Sequence, residues 1–168
     1  MRLAVTGTPG TGKTTATDLV DSDLVAVHLN ELIRREHLYS AVDEDRDSVV
    51  ADLDAVATRL EGREDVIVDS HLSHHLDVDD VVVLRCEPAE LERRLRQRGA
   101  SEAKATENAE SEALDVILSQ AVDAHGEEHV YEIDTTDRTP DAVAAEIERV
   151  IAGERTPAAG TVDFTDYL

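Results

Sequence analysis

The stretch Arg2-Leu-Ala-Val-Thr6-Gly7-Thr8-Pro9-Gly10-Thr11-Gly12-Lys13-Thr14-Thr15 decides the fold. Residues 7–14 match Gly-x-x-x-x-Gly-Lys-Ser/Thr, the phosphate-binding loop. The context is the one the motif needs, because Arg2–Thr6 reads as a buried strand and Thr14–Val20 as a helix. Glycines let such a loop curl until several backbone N–H groups converge on phosphate oxygens, and the helix that follows adds its positive end. Lys13 is placed to reach the β- and γ-phosphates of a nucleotide, and the Thr14 hydroxyl to ligate Mg²⁺.

Composition sharpens this reading. The 168 residues include 38 acidic and 16 basic side chains, giving a net charge of −22. The length suits one three-layer α/β domain. Acid spread along the whole chain fits a cytoplasm of concentrated salt, where screening shrinks to about 3 Å; the other reading is a binding surface for a basic partner. It argues against broad, high-affinity contact with nucleic acid. Only Lys13 and Lys104 are lysines, against 14 arginines, so a retained lysine marks a place where a compact ammonium is needed. The single Cys86 excludes an internal disulfide and fits a reducing compartment. With no apolar run of membrane-spanning length and no signal peptide, the expectation is a cytoplasmic protein without membrane contact.

Strand and helix patterns alternate, the signature of a parallel α/β sheet. Strands are expected at Arg2–Thr6, Leu24–His28, Val66–Asp69, Val81–Cys86 and Val130–Asp134. Helices are expected at Lys13–Asp21, Asn30–His37, Arg46–Leu60, Pro88–Arg98, Ser101–Ala124 and Thr139–Ala152. Val81-Val-Val-Leu84 lacks alternation, which predicts a central strand covered on both faces. Residues 1–152 then form the domain and 153–168 a tail. The tail holds two of the four aromatics, Phe164 and Tyr167, so it is expected to dock on its own domain or on a partner.

Several constellations could add chemistry. Val66-Ile-Val-Asp69 ends a buried strand in a carboxylate, suited to orient Mg²⁺ through water. His71 follows two residues later, placed to face phosphates or a catalytic water. His71, His74 and His75 lack the Cys or spaced carboxylates of a transition-metal site. Arg93, Arg94, Arg96 and Arg98 cluster on one predicted helix. They are either laced to Glu90 and Glu92 or, for Arg98 at the helix end above all, act as a clamp on the transferring phosphoryl group. Spacing alone does not decide whether Arg34 grips an acceptor or is an ordinary exposed helix residue.

The combined pattern resembles the small adenylate kinases of archaea and of the eukaryotic nucleus that also act in small-ribosomal-subunit assembly, the isoenzyme 6 type. The likeness runs from Arg2 to about residue 134. It is carried by Gly7–Thr15, Glu31-Leu-Ile-Arg34-Arg-Glu-His-Leu-Tyr39, Val66-Ile-Val-Asp-Ser-His71 and Val81-Val-Val-Leu-Arg85, and by Leu95-Arg-Gln-Arg-Gly99 with Lys104, Asn108 and Glu112. It departs in a short Ser40–Asp47 segment, in Ala100 where an aromatic is usual, and in the tail. The resemblance implies a phosphate-loop nucleoside monophosphate kinase fold: five parallel strands in the order 2-3-1-4-5, helices on both faces and a small lid. It implies ATP phosphates on Gly10, Gly12, Lys13, Thr14 and Thr15, with Arg98 also on ATP. It further implies an AMP segment at about 28–51 including Arg34, a lid at about 98–107, a metal role for Asp69 and a role for His71 in catalysis or in nucleotide hydrolysis. The implied activity is Mg²⁺-dependent phosphoryl transfer from ATP to AMP with accompanying ATPase activity. The implied partner is a small-subunit ribosomal protein of the S11 type, in 16S rRNA maturation. The alternatives are an ATPase assembly factor that releases a ribosomal protein, or another small metabolite kinase, acting on shikimate or dephospho-coenzyme A.

The charge balance makes a direct prediction. Lowering KCl from molar to millimolar concentration restores self-repulsion, so the thermal unfolding midpoint falls steeply; a calorimetric melt across a KCl series measures it.

Overall fold

The computed structural model describes residues 1–168. Seven strands and seven α-helices follow one another as β1 (Arg2–Thr6), α1 (Lys13–Asp18), β2 (Val25–His28), α2 (Leu29–Glu36), β3 (Tyr39–Asp43), β4 (Ser48–Ala51), α3 (Leu53–Arg59), β5 (Val66–Asp69), β6 (Asp80–Arg85), α4 (Pro88–Gln97), α5 (Glu102–Ala113), α6 (Val116–His125), β7 (Val130–Asp134) and α7 (Pro140–Ile151). The main sheet is parallel throughout, in the order β2-β5-β1-β6-β7. Counting its own five strands along the chain, this is 2-3-1-4-5, as expected.

Strand alternation assigns the two faces. Leu3, Val5, Ile67, Val82, Leu84 and Ile133 point to one side and pack on Ala16 of α1 and on Val143, Ile147 and Val150 of α7. Ala4, Val81, Val83 and Val130 point to the other, against Leu118 and Ala121 of α6. Val27, Val66 and Val68 on that side meet α2 and α3 through Leu29, Leu32, Ile33, Val56 and Leu60. Residues Val81–Leu84 are fully buried on both faces, as their unbroken apolar run predicts.

Three expected helices are corrected. The helix expected at Arg46–Leu60 begins only at Leu53, because the Asp52 side chain caps it by accepting from Ala55 N–H. Residues 39–51 before it form an antiparallel hairpin, β3–β4, whose tip turns on Asp43 accepting from Arg46 N–H and on Asp47 at φ 47°. The expected helix Ser101–Ala124 is two helices, broken at Asp115, which takes a left-handed φ of 54°. That break aims the Asp115 carboxylate at Arg85, 2.5 Å away. Helix α1 ends at Asp18 rather than Asp21.

The tail docks on its own domain. Ala158 pairs with the outer edge of β7, donating to Val130 C=O and accepting from Glu132 N–H. Thr161 donates from both N–H and Oγ1 to the Glu132 carboxylate, at 2.7 and 2.8 Å. The Phe164 ring lies 5.4 Å from the Arg85 guanidinium, and Tyr167 donates to Glu92 of α4 at 2.9 Å.

Arg85, at the end of β6, is 1% exposed and joins four segments. Its guanidinium donates to Glu112 of α5 at 2.9 Å, to Glu132 of β7 and to Asp115. Removing one member of such a cluster strands its partners in a dry interior. Arg85→Leu therefore costs roughly 3–5 kcal/mol of stability, read from denaturant unfolding in molar KCl.

Candidate active site

The loop between β1 and α1 is shaped by backbone that only glycine accepts. A Cβ on Gly7 would come within 2.5 Å of the Leu84 carbonyl oxygen, and Gly12 caps α1 at φ 89°. The loop is braced from behind: Thr11 Oγ1 donates to Thr8 C=O at 2.9 Å, and Thr8 Oγ1 donates to buried Glu112 at 2.6 Å. Glu112 also accepts from Cys86 N–H and from Arg85. The phosphate loop thus rests on the ion cluster described above. Glu112, which belongs to the lid-like sequence pattern, serves here as a brace for the loop.

Lys13 curls back over the loop, its Nζ donating to Gly7 C=O at 2.8 Å and to Thr8 C=O at 3.1 Å. Burial pushes its pKa down to about 8; the charge of Arg98 adds to this, while Asp69 and Glu112 pull against it. Thr14 Oγ1 lies 3.4 Å from Asp69 Oδ1, so the two expected metal-site oxygens share one spot. A hydroxyl and a single carboxylate suit Mg²⁺, which keeps waters and substrate phosphates as its other ligands. No group of three or more His, Cys, Asp or Glu side chains is arranged to hold a metal.

His71 lies half-buried near this spot. Burial, with the nearby charges of Lys13 and Lys104, pushes its pKa down to about 4, so it is neutral at physiological pH. His74 is structural: Nδ1 meets Thr6 Oγ1 at 2.8 Å and Nε2 meets Gln120 at 3.0 Å. Cys86 is an inert interior thiol, pushed up to about 12 by burial.

A cleft of about 310 Å³ opens beside the loop, lined among others by Gly10, Gly12, Thr15, Arg94, Arg98 and Arg138. The arginines of α4 divide as their two readings allowed. Arg94 pairs with Glu90, Arg96 with Glu92 and Glu102, and Arg93 with Glu90 at 4.0 Å. Arg98 makes no ion pair and faces the cleft. Arg138, near the end of the loop into α7, was invisible as a site residue because nothing local in Asp-Arg-Thr-Pro marks it. Across from α5, Arg34 donates to Asp47 C=O at the hairpin tip, while Lys104 Nζ reaches Arg46 C=O at 3.4 Å and Arg46 pairs with Glu107. Hairpin tip and α5 thereby touch.

One contact was missed in the sequence. His28, at the end of β2, holds Asp69 Oδ2 through Nδ1 and Asp18 Oδ1 through Nε2, the latter at 2.8 Å. Burial alone would lower its pKa, but the two carboxylates outweigh it and the net shift is upward.

Fold and site together define a phosphate-loop protein of nucleotide-kinase build. A family model described as an AAA domain matches residues 3–115. The chain is 63% identical to a protein of Natronomonas pharaonis named "Putative adenylate kinase", over the whole of both chains. It is 62% identical to one of the same name from Halobacterium salinarum, again over both full lengths. Among solved structures, a shikimate kinase from Bacteroides thetaiotaomicron shares the fold, with a TM-score of 0.58 at 15% identity, covering 90% of this chain and 98% of that one. The chain belongs to the family of these archaeal proteins, with an AAA-type nucleotide-binding core. No helix is long and apolar enough to cross a membrane.

Because Lys13 in the free protein loses its proton near pH 8, while a phosphate ligand binds its charged form, ATP affinity falls as pH rises from 7 to 9. The loss approaches tenfold per unit above pH 8, and titration calorimetry across that range measures it.

Proposed function

We propose that the protein is an adenylate kinase that transfers the γ-phosphoryl group of ATP to AMP. The observation that carries this reading is where unpaired cations stand in an acid-rich chain. With 38 acidic residues available, Arg93, Arg94 and Arg96 each reach a glutamate, whereas Lys13, Arg34 and Arg98, like Arg2, Arg35, Arg63 and Lys104, make no ion pair. Lys13 and Arg98 sit at the phosphate loop and its cleft. Arg34 sits on α2, opposite α5. Charge of that sign left unsatisfied fits two anionic substrates brought together.

In this reading the donor nucleotide lies along the cleft, with its phosphates on Gly10, Gly12, Thr14, Thr15 and Lys13 and with Arg98 beside them. The segment 28–51, now seen as α2 with its hairpin, receives AMP, and Arg34 binds its phosphate. Residues 98–107, the turn after α4 with the first half of α5, form the lid. A phosphate oxygen of AMP forms the new bond to the γ-phosphorus as the bond to the β-bridging oxygen breaks, giving two ADP. No strong base is required, because the attacking oxygen is already anionic, so the chain's work is to align and to neutralise. Lys13 shields the leaving β-phosphate and Arg98 the transferring group. Mg²⁺, held beside Thr14 and Asp69 when it enters with ATP, supplies further charge neutralisation. The neutral His71 is suited to accept a hydrogen bond from water at this spot, which gives a route to slow hydrolysis. The acidic surface and the resemblance to the assembly-linked kinases together support a basic small-subunit ribosomal protein as partner. The spread of acid, with relatives in Natronomonas and Halobacterium, supports work in concentrated salt.

ADP formation from Mg·ATP is expected to depend on added AMP, and Lys13→Ala to reduce it by roughly 100-fold or more. A coupled assay in molar KCl, run with and without AMP, measures both. ADP made equally fast without AMP would instead mark an ATPase.

A further inference from the structure

The sheet register brings His28 to the metal-site carboxylate. Strands β2 and β5 are parallel neighbours, and His28 and Asp69 are direct partners in their pairing. Their side chains therefore stand together at the strand ends. On α1, Thr14 and Asp18 are four residues apart and share one face of the helix. The result is a closed ring: Thr14 Oγ1 to Asp69 Oδ1 at 3.4 Å, Asp69 Oδ2 to His28 Nδ1, His28 Nε2 to Asp18 Oδ1 at 2.8 Å, and back along one turn of α1. Asp69 is 4% exposed, so no water shell fixes its rotation. Its two oxygens are divided, one to His28 and one to the spot beside Thr14. Asp69 also exerts a Coulombic pull on Lys13. Without a partner on Oδ2, the carboxylate would be free to rotate and turn Oδ1 away from Thr14.

We propose that His28 is a positioning residue for Asp69, clamped in turn by Asp18, and that it presents Oδ1 beside Thr14 for the Mg²⁺ that accompanies a nucleoside triphosphate. This rests on the reading of Asp69 as the metal-orienting carboxylate. The arrangement follows a general rule for metal sites, in which a hydrogen-bonded neighbour orients the carboxylate and its loss weakens metal affinity by roughly 10–100-fold.

The test compares ATP binding with and without Mg²⁺, by calorimetry in molar KCl, for the wild type, His28→Leu, His28→Asn, Asp18→Asn and Asp69→Asn. The gain in affinity that Mg²⁺ brings is expected to shrink roughly 10-fold or more in His28→Leu, while metal-free ATP affinity stays within about twofold. His28→Asn, which keeps a donor where Nδ1 stands, is expected to restore most of the gain. Asp18→Asn, a change at a half-exposed side chain that leaves the fold intact, is expected to lose part of it. Electron paramagnetic resonance of Mn²⁺ with ATP should report the same order. An unchanged Mg²⁺ gain in His28→Leu overturns the proposal, as does an equal loss with and without metal. Should His28→Leu not fold, an undiminished gain in Asp18→Asn together with no loss of Mn²⁺ binding overturns it. If Asp69→Asn keeps the full Mg²⁺ gain, the reading of Asp69 itself fails, which is a separate outcome.

Discussion

A single buried guanidinium holds this molecule's working end together. Arg85 is where β6, β7, α5 and the start of α6 meet, and its donors are taken by Glu112, Glu132 and Asp115. Three carboxylates around one cation would be a poor arrangement for stability alone, since desolvating ions is costly. Here the excess negative charge is put to use. Glu112 spends one oxygen on Arg85 and Cys86 N–H and the other on Thr8. Glu132 likewise turns its second oxygen to Thr161. The cluster therefore fixes the phosphate loop on one side and the tail on the other, and each depends on Arg85 staying in place.

The loop is rigid on its back and open on its front. The loop is braced through Thr8 and Thr11, and Lys13 lies over the carbonyls of Gly7 and Thr8. This is preorganisation in the ordinary sense, because the folding energy of a distant ion cluster has already set the amides that a phosphate would meet. The contact between the β3–β4 hairpin and α5 is lighter. The hairpin tip and α5 touch only through exposed groups, chiefly Arg46, Glu107 and Lys104. Surface ion pairs of this kind are worth less than about 1 kcal/mol, so the contact between the hairpin and α5 is a weak one.

How much was legible follows from the range of each signal. The parallel sheet and the loop were readable because the motif and the apolar runs are local, and the strand order came through the resemblance those motifs carry. Val81–Leu84 gave its burial away by the lack of any polar alternation. The hairpin at 39–51 was missed because Asp43-Glu-Asp-Arg-Asp47, a charged run, hides two short strands and looks like the start of a helix. The break at Asp115 was missed for a different reason: the partner its carboxylate meets, Arg85, lies thirty residues away in sequence. His28 and Asp18 were passed over on the same ground. Only the pairing of β2 with β5 places them beside Asp69, and no spacing along the chain encodes that. The arginines of α4 show the middle case, where the sequence framed two readings; the structure pairs Arg93, Arg94 and Arg96 with glutamates and leaves Arg98 without one.

The tail also changes how this molecule meets its own kind. Through Ala158 and the Arg155 guanidinium it satisfies Val130 C=O, Glu132 N–H and Glu132 C=O along the outer side of β7, groups that an open sheet would offer to any passing extended peptide. In dilute buffer a charge of −22 would keep two copies apart on its own. In brine that repulsion reaches only about 3 Å, and electrostatic aloofness vanishes. A covalently tethered edge guard works equally well at any salinity.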